Sequence, residues 1–206
     1  MKKTNGMAGH GMISQELIEE QKKEFRELLL ETGRENMDSL LAWLEEETDF
    51  YSAPASTNNH GAFDGGLLIH SLNVYKILKN FNKMIKCERE DSIVIAGLLH
   101  DVCKTNFYTR EIRNVKTPGK REWKEKEVYA INDELPFGHG EKSVFLLMRH
   151  IRLTEEEAIA IRWHMGGYDD AARSYIGGRT QSNAFQTYRL APALAIADMY
   201  ATYFAD

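Results

Sequence analysis

Apolar positions recur along this chain at spacings of three and four, the repeat of an amphipathic helix. Leu17, Ile18, Phe25, Leu28 and Leu29 form one such stripe. Ser14 can cap it, Glu16 lies in its first turn, and Gly33 stops it after about Glu31. Leu40, Leu41 and Leu44 mark a second helix over about Met37 to Glu47. From Tyr51 to Gly66 the residues turn to Pro, Ser, Asn and Gly, which reads as a loop. His70, Val74, Ile77, Leu78 and Phe81 then repeat along a helix of about Gly66 to Ile85, so His70 lies on the buried stripe. The next run, Ile93-Val94-Ile95-Ala96-Gly97-Leu98-Leu99, is apolar on every face and belongs at the centre of the protein.

After Asn106 the period changes. Phe107 to Val115 and Glu122 to Ile131 read as strands around Thr117-Pro118-Gly119-Lys120, a turn signal, so a β-hairpin is expected there. Three more helices follow: His139 to His150, a second from Thr154 to about Met165, and a third from about Ala191 to Ala205. Thr154-Glu155-Glu156-Glu157 has the form of a capping box, and Pro192 suits a first turn. Gly166-Gly167 ends the second of these. Tyr168 to Thr187, polar and carrying Gly177-Gly178, reads as an irregular lid. On the last helix Ala191, Leu194, Ala195, Asp198, Ala201 and Thr202 share a face, with Asp198 among small residues. The expected fold class is all-α, a helical bundle with one inserted β-hairpin. Residues 1 to 12, rich in Gly and Met, are expected to be mobile.

Composition narrows the function. With 206 residues the chain makes one domain, or one domain with a short appendage, and 43% hydrophobic residues supply a core. A net charge of −5 argues against electrostatic wrapping of nucleic acid, which stays a disfavoured partner. The two cysteines, Cys87 and Cys103, form no C-x-x-C, and Cys103 reads as a reduced core thiol. Met1 to Met12 has no apolar signal core, and no run approaches the roughly 18 apolar residues of a membrane span. A cytoplasmic protein without a membrane partner is expected; its oligomeric state is open.

The chemistry starts where the apolar run ends, at His100-Asp101. Burying an unpaired carboxylate costs several kcal/mol, roughly, and imidazole with carboxylate is a standard ligand set for divalent metals. His70 and Asp198 lie on buried faces, and His139 and His164 at helix ends. These six groups suffice for two ions. Asp101 would bridge them, His70, His100 and Asp198 completing one shell and His139 and His164 the other. Such a pair could hold a hydroxide and clamp a phosphoryl oxygen. Lys104, one turn beyond His100, adds a cation that could bind phosphate or assist the leaving group. Asp101 and Lys104 are therefore the catalytic candidates. His150 is the rival of His139 on the same helix. His10 and His60 read as exposed, although His60 could touch substrate. Tyr168, Arg173 and Arg179 in the lid are candidates for holding an anionic substrate, and Asp169-Asp170 reads as a solvated pair.

Gly65-Gly66-Leu67-Leu68-Ile69-His70-Ser71, followed by Gly97-Leu98-Leu99-His100-Asp101-Val102-Cys103-Lys104, resembles the HD-domain metal-dependent phosphohydrolase superfamily. The resemblance spans roughly Phe63 to Tyr203. Its Gly-Gly-Leu-Leu-x-His opening, the hairpin after the dyad and the later Gly-His and Trp-His elements are similar to the HD domain of bacterial 3′→5′ exoribonucleases. Those enzymes carry an OB-fold ahead of this domain, whereas the first sixty residues here read as helices. The family follows its dyad with Gly then Lys two residues on; here Cys103 stands at the Gly position and Lys104 is kept. The resemblance implies an HD domain over 61–206 with a helical appendage over 1–60. It implies a phosphomonoesterase or phosphodiesterase acting on a nucleotide or other small phosphoester. One or two divalent ions, Mn, Fe, Co, Ni or Mg, would be the cofactors. The same ligand order is also similar to di-iron oxygenases of the superfamily, and a non-catalytic nucleotide-sensing module is a third reading.

Overall fold

The computed structural model describes residues 14–206, apart from positions 87, 88, 118 and 120. The expected mobility of residues 1–12, His10, Cys87 and Pro118 thus lie outside the described residues. Among these residues the architecture is eight α-helices and one antiparallel hairpin: α1 (Gln15–Glu31), α2 (Met37–Glu46), α3 (Gly66–Ile85), α4 (Glu90–Leu99), β1 (Tyr108–Lys116), β2 (Trp123–Ile131), α5 (His139–Met148), α6 (Glu155–Trp163), α7 (Tyr175–Thr187) and α8 (Leu190–Phe204). The all-α bundle with an inserted hairpin is the fold observed.

The apolar stripes meet in one core. Phe25 and Leu29 of α1, Leu40 and Leu44 of α2, and Leu68 and Leu72 of α3 are buried together with Leu147 of α5, Ile161 of α6 and Leu194 of α8. α4 runs through the middle, with Ile95, Ala96, Leu98 and Leu99 fully buried, as a helix apolar on all faces requires. Two glycines let helix pairs approach closely. A Cβ on Gly97 would sit 2.8 Å from the Tyr75 Cα, so α4 rests directly on α3. A Cβ on Gly140 would sit 2.2 Å from the Arg162 carbonyl oxygen, which brings α5 onto the end of α6. Both contacts lie near histidines of the candidate site.

Local signals act as their chemistry dictates. Ser14 Oγ accepts from the Leu17 N–H at 3.2 Å. The capping box at α6 is complete: Thr154 Oγ1 accepts from the Glu157 N–H and the Glu157 carboxylate accepts from the Thr154 N–H. Buried Glu157 also accepts from Ser92 Oγ at 2.6 Å and pairs with Arg34, which reaches Asp91 at 2.8 Å. This network joins the α1–α2 turn to α4 and α6. The hairpin pairs Tyr108 with Ile131 through to Lys116 with Trp123 and is largely exposed. It is tied to the 51–65 segment by Tyr108, whose hydroxyl donates to the Ala55 carbonyl, and by Arg110 and Tyr129 on Asp64.

The expected irregular lid is corrected over most of its length, because residues 175–187 form α7. Ser174 Oγ caps it, accepting from the Gly177 N–H at 3.0 Å. Gly177 is needed for space rather than as a breaker: a Cβ there would lie 1.8 Å from the Ala171 carbonyl oxygen. Asp169 is corrected too. It is buried, accepts from the Arg162 guanidinium at 2.5 Å and caps the Ala171 N–H at 2.8 Å. No helix among the described residues is long and apolar enough to cross a membrane.

Candidate metal centre

Five helices and one turn deliver side chains to a common point. His70 comes from the second turn of α3, His100 from the C-terminal cap of α4, and Asp101 follows it. His139 opens α5, His164 caps α6, and Asp198 sits mid-way along α8. Lys104 ends the short 3-10 turn Val102–Lys104.

Asp101 lies between two groups of donors. Its Oδ1 is 2.8 Å from His139 Nε2 and 3.4 Å from His164 Nε2. Its Oδ2 is 3.5 Å from both His70 Nε2 and His100 Nε2, and 2.6 Å from Lys104 Nζ. Asp198 Oδ1 joins the second group, 3.1 Å from His70 Nε2 and 3.9 Å from His100 Nε2. The structure therefore brings together all six residues nominated from the sequence, with Lys104 beside them. Tyr168 and Arg173 are not among the groups that meet Asp101. Tyr168 is exposed, and Arg173 pairs with Asp170 at 3.0 Å. His150 lies elsewhere, stacked on Trp43 with ring centroids 4.5 Å apart.

The donor chemistry suits divalent ions. His100 Nδ1 is held by the Gly97 carbonyl at 3.0 Å and His164 Nδ1 by the Ile161 carbonyl at 2.6 Å. Asp206 Oδ2 holds His70 Nδ1 at 2.6 Å. An acceptor at Nδ1 fixes the proton there, so in the neutral ring the lone pair is on Nε2 and faces inward. The Nε2 atoms of His70, His100 and His164 are buried and make no hydrogen bond. Three buried, unsatisfied nitrogens aimed at two carboxylates are costly among themselves and are what a cation would satisfy.

The electrostatics agree. Burial alone would raise the Asp101 carboxyl, but Lys104 and the surrounding histidines hold it well below the usual carboxylate range. Burial likewise opposes ionisation of Asp198, and His70 outweighs it. For His70, burial favours the neutral ring, yet Asp198 and Asp206 push it up to about 9. Burial dominates at His100 and lowers it to about 3. Imidazole binds a metal only when deprotonated, so metal uptake at His70 releases a proton.

Three neighbours were given no part in the metal cluster by the sequence reading. Asp206 follows the last helical residues with no periodic or motif signal, yet its side chain is 2% exposed against His70. His60 is half-buried, its ring 5.1 Å from that of His70. Cys103 reads as a core thiol and is buried, but its Sγ faces His139 at 3.4 Å. A cleft of about 770 Å³ between α1, the 51–65 segment and the hairpin contains none of the six donors.

Fold and donor set together define a class, a helical bundle with a candidate divalent-metal centre built around a His-Asp pair. The HD domain family model matches residues 67–202, and the chain belongs to that family. All six donors fall inside the matched span, and membership supports the metal-dependent phosphohydrolase superfamily. No match was found among curated proteins or among solved structures.

Proposed function

We propose that this protein is a metal-dependent phosphohydrolase acting on a small phosphoester, a nucleotide in the first instance. The observation that carries the reading is the division of one buried carboxylate, Asp101, between two sets of imidazole donors, with Lys104 at its edge. Divalent ions bound there would polarise a phosphoryl oxygen and activate a water as nucleophile at neutral pH. His70, His100 and Asp198 would hold one ion with Asp101 Oδ2; His139 and His164 would hold the other with Oδ1.

The protein's own groups do the rest. Lys104 stays protonated: burial opposes its charge, but Asp101 outweighs burial and raises it. It is placed to neutralise a nonbridging phosphoryl oxygen or charge building on the leaving group. Tyr168 and Arg173 are the proposed contacts for the anionic remainder of the substrate. Within the family, we read the Gly65-Gly66-Leu67-Leu68-x-His70 opening as nearest to the HD domain of bacterial 3′→5′ exoribonucleases. We also read 1–60 as a helical appendage on an HD domain over 61–206.

The test is a screen of nucleotides and generic phosphoesters with the full chain, adding manganese, magnesium, cobalt or nickel. Turnover that depends on added metal and disappears in Asp101→Ala is expected. Hydrolysis at an unchanged rate in Asp101→Ala overturns the proposal.

A further inference from the structure

The two sets of donors around Asp101 are unequal. One side has His70, His100 and Asp198. The other has only His139 and His164, two imidazoles with Asp101 Oδ1. Cys103 stands on that poorer side. Its Sγ is 3.4 Å from His139 Nδ1 and 3.7 Å from His139 Nε2. Asp101, Cys103 and His139 each offer a donor atom within 4.8 Å of the others. On a tetrahedral zinc ion, with Zn–S about 2.3 Å and Zn–N about 2.0 Å, sulfur and nitrogen lie about 3.5 Å apart. The 3.7 Å to Nε2, the nitrogen that meets Asp101 Oδ1, is compatible with two ligands on one ion.

The thiol is not held there loosely. Cys103 is 3% exposed, and its N–H donates to Ser143 Oγ at 3.1 Å. Ser143 belongs to α5, the helix that His139 opens, so one interface positions both donors. A separate observation points to a ligand on this side. His164 Nε2 is buried, without a hydrogen bond, and 3.4 Å from the same carboxylate oxygen. Asp101, His139 and Cys103 are the three donors that lie together, and His164 approaches the same carboxylate oxygen; a tetrahedral zinc site takes four ligands.

We propose that Cys103 is a metal ligand, completing with Asp101, His139 and His164 a site that selects a thiophilic divalent ion, zinc above all, over magnesium or manganese. Soft thiolate donors favour zinc, while magnesium and manganese prefer oxygen. The thiol proton leaves to solvent when the sulfur binds. One thiolate and one carboxylate then balance the charge of the ion. This inference rests on the reading that the cluster binds metal.

The experiment loads the full chain with zinc under anaerobic conditions and records X-ray absorption at the zinc edge. A sulfur scatterer at about 2.3 Å is expected. The cobalt-loaded protein is expected to show a thiolate-to-cobalt charge-transfer band in the near ultraviolet. That band persists in Cys87→Ser and is lost in Cys103→Ser, with the ligand-field bands retained. Bound zinc with only nitrogen and oxygen neighbours overturns this inference and leaves the phosphohydrolase reading intact. A charge-transfer band undiminished in Cys103→Ser, or absent from Cys87→Ser, overturns it as well. Failure to bind any divalent ion overturns both. Recording the zinc edge on Cys87→Ser, whose one remaining cysteine is Cys103, keeps the test decisive if Cys103→Ser fails to fold.

Discussion

At Asp206 a carboxylate grips the outer nitrogen of a buried histidine, while Asn73 Nδ2 donates to its other oxygen at 2.8 Å. That arrangement orients His70 and keeps its inner nitrogen available. Asp206→Asn is expected to weaken metal binding by about 10- to 100-fold, measured by calorimetry with manganese or zinc. An unchanged affinity would show that packing alone orients the ring. The residue scale is also where legibility in the sequence divides most sharply. His70 and Asp198 could be read because a polar group interrupts an apolar stripe. His100, His139 and His164 could be read because they stand at helix ends. Asp206 could not, since a polar residue beyond a helix looks like any solvated end. Cys103 reads as core because burial and ligation leave the same trace in a sequence.

At the scale of elements, helix packing sets the spacing of the donors. Gly97 lets α4 lie on α3, which carries His70, and any side chain there meets the Tyr75 backbone. Gly97→Ala is expected to destabilise the fold by roughly 1–3 kcal/mol, read from urea melts. The Arg34 network makes a second prediction, in pH. Hydrogen bonds from Arg89, then Arg34, hold the Asp91 carboxyl below the usual carboxylate range although partial burial opposes this. A carboxyl depressed in the folded state stabilises above its unfolded value and loses that contribution as pH falls through the folded one. Asp91→Asn should therefore cost about 1 kcal/mol at pH 7, with the deficit shrinking below about pH 4. Urea midpoints at the two pH values check it, and a deficit constant with pH contradicts it. Period-3.6 stripes and the alternating hairpin were readable as elements. α7 was not, because two adjacent glycines signal a break unless the close approach of Ala171 is known.

For the whole molecule, α4 runs through the core and ends in the site, so fold and ligand sphere share one helix. A ligand that binds only the folded state stabilises it by about 2.7 kcal/mol at 100 times its dissociation constant. For a chain of this size that corresponds to a rise in Tm of roughly 5–10 °C. Adding zinc or manganese is expected to produce such a rise, EDTA to reverse it, and Asp101→Ala to abolish it. Differential scanning calorimetry reads all three, and a Tm indifferent to divalent ions would separate the cluster from folding stability.

The two oxygens of Asp101 give the site a hinge pin common to both of its chambers. A cation held on either side would fix the plane of that carboxylate, and with it the direction of the oxygen that faces the other pair of histidines.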